Sequence, residues 1–218
     1  SYRASFIQAV LKAVPWLALI PFFVYGTLYA STADSRWHEA SHGTAFKTAW
    51  MNDALYEIAS FMVMRESTPW RWSHTRHHSD TIIVGRDPEI AVPRPPSLST
   101  MFQAIFCIPQ GRDYFKGLFL HIQGQLTDGE KTFIPESAIP RIAITARIHL
   151  GIYLGVIALA LWQHSILPLM VIGLPNVFGT WLMLVYGYTQ HAGLAENVLD
   201  HRLNCRTVYM NKLNRFLY

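Results

Sequence analysis

Apolar and polar positions are distributed unevenly along this chain. From Leu150 to Gln190 there is no Asp, Glu, Lys or Arg, and Ala13 to Ser31 is likewise uncharged. Crossing a hydrocarbon core takes ~20 predominantly apolar residues. The pattern therefore predicts three spans: Ala13 to Ser31, with Pro15 and Pro21 as kinks, Ile142 to Trp162, and Ile166 to Tyr188. The last two make a hairpin around an uncharged turn. Between spans one and two lies a block, 32–141, whose apolar runs Ala54 to Met64 and Met101 to Pro109 are too short to cross. They read as in-plane or surface helices packed on the membrane face. Pro88, Pro93, Pro95 and Pro96 make Arg86 to Ser99 an extended loop, because proline denies helix. The expected fold is all-α and integral to the membrane, with transmembrane helices under a cytoplasmic helical cap, as one domain over 1–218.

Composition adds little until charge is placed along the chain. Charged residues make up 15% of 218 positions, against about 25% in soluble domains. The long uncharged runs exclude soluble globular, disordered and collagen-like classes, and the two cysteines, Cys107 and Cys205, cannot build a disulfide framework and fit a reducing compartment. The net charge of +4 is scattered rather than clustered, so a nucleic-acid partner is not expected. Of 18 Lys and Arg, twelve lie between Arg36 and Arg147 and four between Arg202 and Arg215, while the turn after Trp162 carries none. By the positive-inside rule, 32–147 and 192–218 face the cytoplasm, in a bacterial inner membrane. Ser1 to Lys12 has no signal-peptide layout.

Ten histidines then give the chemistry. His38-Glu39-Ala40-Ser41-His42 follows the first span, and on a helix i and i+4 share a face, so both rings can address one metal. His74-Thr75-Arg76-His77-His78 repeats that geometry with a third ring, and His191 follows the third span. All six fall on one side of the membrane, and imidazole serves zinc, copper, iron or nickel. His121, His149, His164 and His201 read instead as interfacial or surface residues. Two competing readings stay open on the residues alone. His38-Glu39-Ala40-Ser41-His42 matches the HExxH zinc-protease signature, although the spans supply no acidic third ligand and His74, His77 and His78 would be idle. A haem-carrying subunit would need paired histidines mid-bilayer on facing spans. For orienting the imidazoles, Asp34 and Asp80 are the first candidate carboxylates, with Asp87 and Glu89 as alternatives. Arg65, Arg71, Arg76 and Arg86 are candidates for docking an acidic partner, or simply follow the charge rule.

At Trp37-His38-Glu39-Ala40-Ser41-His42-Gly43-Thr44, Trp72-Ser73-His74-Thr75-Arg76-His77-His78-Ser79 and Gln190-His191-Ala192-Gly193-Leu194 the chain resembles the membrane fatty acid desaturase/hydroxylase superfamily. The resemblance runs over essentially the whole sequence. It implies two iron ions activating dioxygen against an unactivated C–H bond, with His38, His42, His74, His77, His78 and His191 as iron ligands. It also implies an acyl or lipid substrate drawn from the bilayer. Electrons would come from an external donor such as a ferredoxin or a b-type cytochrome. The spacing of the second box is similar to acyl desaturases, whereas the Gln-His-Ala-Gly-Leu segment resembles the hydroxylases. The family carries a third histidine box after the lone histidine and another span before the first box. Neither is in this sequence, so a fragment is expected, unable as given to hold both irons or to turn over.

Overall fold

The computed structural model describes residues 15–90 and 97–217. Three helices among them are long and apolar enough to cross a membrane: Trp16–Ser41 (α1), Glu136–Trp162 and Leu167–His191. The protein is an all-helical integral membrane protein. Span one runs further than the charge pattern predicted. A π-helical turn at Leu28–Thr32 carries it without interruption into Ala33–Ser41, so the first histidine box is the last part of the spanning helix itself. It ends where it does because Gly43, at φ +71°, takes the left-handed conformation that closes a helix C-terminus, its N–H meeting the Ala40 carbonyl at 3.0 Å.

Four helices follow before the second span: Ala49–Met62 (α2), Ser67–Asp80 (α3), Leu98–Ile105 (α4) and Ile108–His121 (α5). The first short apolar run is helical, as expected, whereas the second, Met101 to Pro109, is split between α4 and α5 by a turn at Phe106 and Cys107. Residues 91–96 of the proline loop lie outside the described residues, and helix α4 already begins at Leu98, inside the stretch predicted as loop. The second span continues as Ile139–Trp162 (α6), with a proline in its first turn where no N–H is missed. The third is broken. Leu167–Val171 (α7) ends at an extended Ile172 and Gly173 at φ +98°, and Pro175–His191 (α8) resumes. Two short helices, His201–Asn204 (α9) and Lys212–Leu217 (α10), follow.

Helices α1 and α8 cross closely at Gly26 and Gly179. A Cβ on Gly26 would lie 2.8 Å from the Pro175 carbonyl oxygen, so only glycine permits this approach. Small residues at crossings let backbones meet in lipid, where no hydrophobic force drives helices together. Ser31 Oγ donates to the Gly179 carbonyl across the crossing at 3.2 Å. The crossing fixes the histidine ends of α1 and α8 side by side. Above it, α2 folds back along α1, and Trp37, Ala40, Tyr56 and Ala59 form the core under α3.

Candidate metal centre

The six histidines predicted from spacing come together. Ligand nitrogens of His38, His42, His74 and His78 all lie within 4.8 Å of one another. His74 Nε2 stands 3.3 Å from His42 Nε2 and 3.1 Å from His78 Nε2. Two nitrogens bound to one metal at ~2.0–2.1 Å sit about 3 Å apart, so this is ligand spacing. His77 lies beside the group, its ring centroid 5.9 Å from those of both His74 and His78, and His191 is 5.3 Å further on. Helices α1, α3 and α8 thus deliver two, three and one imidazole to a continuous array.

The far sides of the rings decide what the near sides can do. Glu89 Oε2 accepts from His74 Nδ1 at 3.1 Å, and Asp87 Oδ2 accepts from His77 Nδ1 at 2.9 Å. The Asn204 carbonyl accepts from His191 Nδ1 at 2.8 Å. With the proton fixed on Nδ1, Nε2 presents its lone pair to the neighbouring rings. His74 Nε2 thus offers a lone pair between the Nε2 atoms of His42 and His78, a spacing that a cation among the three would satisfy. Burial and then the repulsion of the neighbouring rings push His78 down to about 4, so at neutral pH it is in the uncharged, ligating form. Burial also opposes charge on His77, but the Asp87 hydrogen bond and the Glu89 charge outweigh it and raise that group.

The orienting carboxylates are the alternatives, not the first candidates. Asp34 pairs with Arg65 at 2.6 Å, and Asp80 with Arg76 at 2.6 Å and Arg86 at 2.9 Å. Asp34 and Asp80 are nearer the boxes in sequence, but the turn after α3 folds Asp87 and Glu89 back against the ring edges. Asp87 is pinned by the backbone N–H groups of Ile82 and Glu89, each at 2.8 Å. Arg65 is also corrected. Its guanidinium lies between Trp37 and Trp70, 4.5 and 4.3 Å from their rings, and is largely buried, so it is not a docking residue. Asn204 was missed. Fully buried, it donates to the Thr81 and Val198 carbonyls at 2.8 and 3.0 Å while its own carbonyl holds His191. A lone asparagine thirteen residues from the ring it orients carries no sequence signal.

Two histidines read as interfacial are buried. His149 is 4% exposed and shares a 3.0 Å hydrogen bond with Tyr114. His121 lies between Glu66 at 2.6 Å and Glu130 at 3.0 Å. His164 and His201 are exposed, as predicted. Glu39 is exposed and accepts from the Thr44 hydroxyl at 2.5 Å, which gives no support to its use as a peptidase base.

Comparison with known sequences agrees with the geometry. The model of the fatty acid desaturase family matches residues 15–218. The chain belongs to the fatty acid desaturase family. Curated relatives include an omega-6 fatty acid desaturase, endoplasmic reticulum isozyme 1, of Glycine max, 31% identical over 98 residues. A delta(12)-acyl-lipid-desaturase of Punica granatum is 30% identical over 92 residues. Those stretches are 44% and 41% of this chain, and they cover 25% and 24% of the relatives' own lengths. No solved structure matches. Iron is the metal that the family implies.

Proposed function

We propose that this protein forms the metal-binding part of an oxygen-dependent di-iron desaturase acting on the acyl chain of a membrane lipid. The observation that carries the reading is the group of four histidines at ligand spacing, with the outward Nδ1 of His74 held by Glu89. An all-imidazole set suits iron among several metals, and the family narrows the choice. His38, His42, His74 and His78 would hold one iron. His77 and His191 would contribute to a second. When bound, iron supplies the activation of dioxygen needed to take hydrogen from an unactivated methylene.

The chain's own residues have defined work. Glu89 and Asp87 fix the proton of His74 and His77 on Nδ1 and stop the rings turning, and the Asn204 carbonyl does the same for His191. Spans α1, α6 and α8 anchor these rings beside the bilayer, so an apolar substrate arrives by partition rather than through water. Desaturation balances when two hydrogens leave adjacent carbons and dioxygen is reduced to two waters by two further electrons and two protons. The electrons would come from a one-electron carrier such as a ferredoxin or a b-type cytochrome on the cytoplasmic side. The names of the relatives support an acyl lipid as substrate and attack within a fatty acyl chain.

The test is mass spectrometry of total lipids after expression from the complete gene in a host lacking the product, with iron analysis of the purified protein. A new double bond that disappears in His74→Ala supports the reading. An added hydroxyl would move it to the hydroxylase branch, and zinc with no oxygen uptake would overturn it.

A further inference from the structure

The segment 97–111 contains no Asp, Glu, Lys or Arg, yet at fifteen residues it is too short to cross a bilayer. It forms α4, a tight turn and the start of α5. The turn's apolar side chains point away from the protein: Leu98 is 82% exposed, Phe102 63% and Ile108 53%. The other side is packed. Helix α4 lies on α8, and α5 lies on α6.

Contacts along the spans place the turn in depth. At one end of α5 the Arg147 guanidinium donates to the Ile122 carbonyl at 3.0 Å, and Arg147 is the last charged residue before the uncharged part of α6. Towards the other end, Tyr114 meets His149, and Phe115 meets Tyr153 at 5.5 Å between ring centroids. Tyr153 is six residues past Arg147, about 9 Å further along the helix at ~1.5 Å per residue. Helix α5 therefore descends along α6 into its uncharged stretch. At the tip, Cys107 sits against Thr180, eleven residues or about 16 Å below His191 on α8.

We infer that α4 and α5 form a re-entrant hairpin, inserted from the histidine side into the near leaflet between α6 and α8, with lipid acyl chains as the partner of its outer face. This differs from the surface position that its length and flanking charge suggest. Lipid admits such a turn only if its backbone polar groups are satisfied internally. Three N–H groups at the turn are so satisfied: Phe106 N–H bonds the Gln103 carbonyl at 3.1 Å, Cys107 N–H the Ala104 carbonyl at 3.0 Å, and Gly111 N–H the Cys107 carbonyl at 2.8 Å, while the buried Gln110 Oε1 has no partner. Cys107 takes φ +58° to make the turn. Helix α6 also exposes apolar side chains, with Ile144, Ile148 and Leu154 each more than half exposed. Exposed charges do lie on α5: Arg112 and Asp113, which pair at 2.9 Å, and Lys116, so the insertion is no deeper than lets these side chains reach the headgroups.

The test uses the protein reconstituted in phosphatidylcholine vesicles. Nitroxide labels go on Phe102→Cys and Ile108→Cys in a Cys205→Ser background, with the buried Cys107 checked as unlabelled. Power saturation then compares access of dissolved oxygen and of a neutral water-soluble nickel chelate. Labels at Ile157→Cys and Asp128→Cys set the lipid and water limits. Both hairpin labels should follow Ile157, with oxygen favoured several-fold over nickel. Labels that follow Asp128 would overturn the inference. A second measurement needs no substitution. A carbene probe carried in the lipid phase should label peptides from 97–111 as strongly as those from 148–162, and absence of labelling there would also overturn it.

Discussion

The described residues contain two histidine assemblies of opposite wiring, one around His74 and partly exposed, the other around the buried His121. In the array around His74, each orienting contact takes the Nδ1 side of a ring, and Nε2 atoms face one another at 3.1–3.3 Å. At His121 both ring nitrogens meet carboxylates, Glu66 and Glu130. The first arrangement leaves lone pairs for a cation. The second supplies its own cation, because the doubly bonded imidazole is favoured in its charged form. Burial alone would lower His121, but the hydrogen bonds it donates to Glu130 and Glu66 reverse that and raise it to about 9. A buried histidine beside acidic residues is thus no guide to metal binding until both nitrogens are traced. His121 ties the C-terminus of α5 to Glu66 at the start of α3, so the second assembly braces the helix that carries the first.

The comparison breaks most visibly at the ligands. His74→Ala removes the ring shared by His42 and His78, and affinity for a divalent probe such as cobalt should fall by more than the ~10–100-fold typical of an outer contact. Equilibrium dialysis with metal analysis measures it, and unchanged binding would contradict the ligand assignment. Next is His121→Leu. Removing one partner of a buried ion pair leaves uncompensated charge and costs about 3–5 kcal/mol. Thermal unfolding in detergent should show that loss, while the variant, held below its lowered Tm, still binds cobalt. Loss of cobalt binding there would mean that the two assemblies are not separable.

Smaller effects sharpen the contrast. Glu89→Gln keeps an acceptor for His74 but removes its charge, and cobalt affinity should fall by ~10–100-fold with little change in Tm. The smallest effect is the pH response of the bracing triad. His121 is raised when folded, so its contribution is complete below the unfolded value of ~6.5 and lost as pH rises through about 9. Burial raises Glu66, and that contribution also declines as pH rises. Burial opposes ionisation of Glu130 as well, but the His121 and Thr127 hydrogen bonds lower it, so its share is lost as pH falls through the lowered value. Wild-type Tm should therefore drop between pH 6.5 and 9 more steeply than that of His121→Leu. Parallel curves would show that the triad does not titrate as assigned.

Much of this was readable along the chain, for a simple reason. Uncharged runs mark spans because lipid penalises charge locally, residue by residue. The i,i+4 rule places His38 with His42 and His74 with His78 because helical geometry is local. What was misjudged depends on residues distant in sequence. His121 meets Glu66 across 55 positions, and Tyr114 meets His149 across 35. Glu89 and Asp87 took the orienting role from Asp34 and Asp80 because a turn after α3 brought them to the ring edges.

Sequence by itself determined the membrane class, the three spans to within a turn or two at most ends, and which histidines to look for on one side of the membrane. Tertiary structure decided which nitrogen of each ring faces its neighbours, which carboxylates hold the others, and that Arg65 lies between two tryptophans instead of on the surface. It also decided that an uncharged segment too short to span packs between α6 and α8. Spacing along a helix fixes direction about one axis only. The crossing at Gly26 and Gly179, which a single Cβ would disrupt, sets how the axes meet and so where those directions converge.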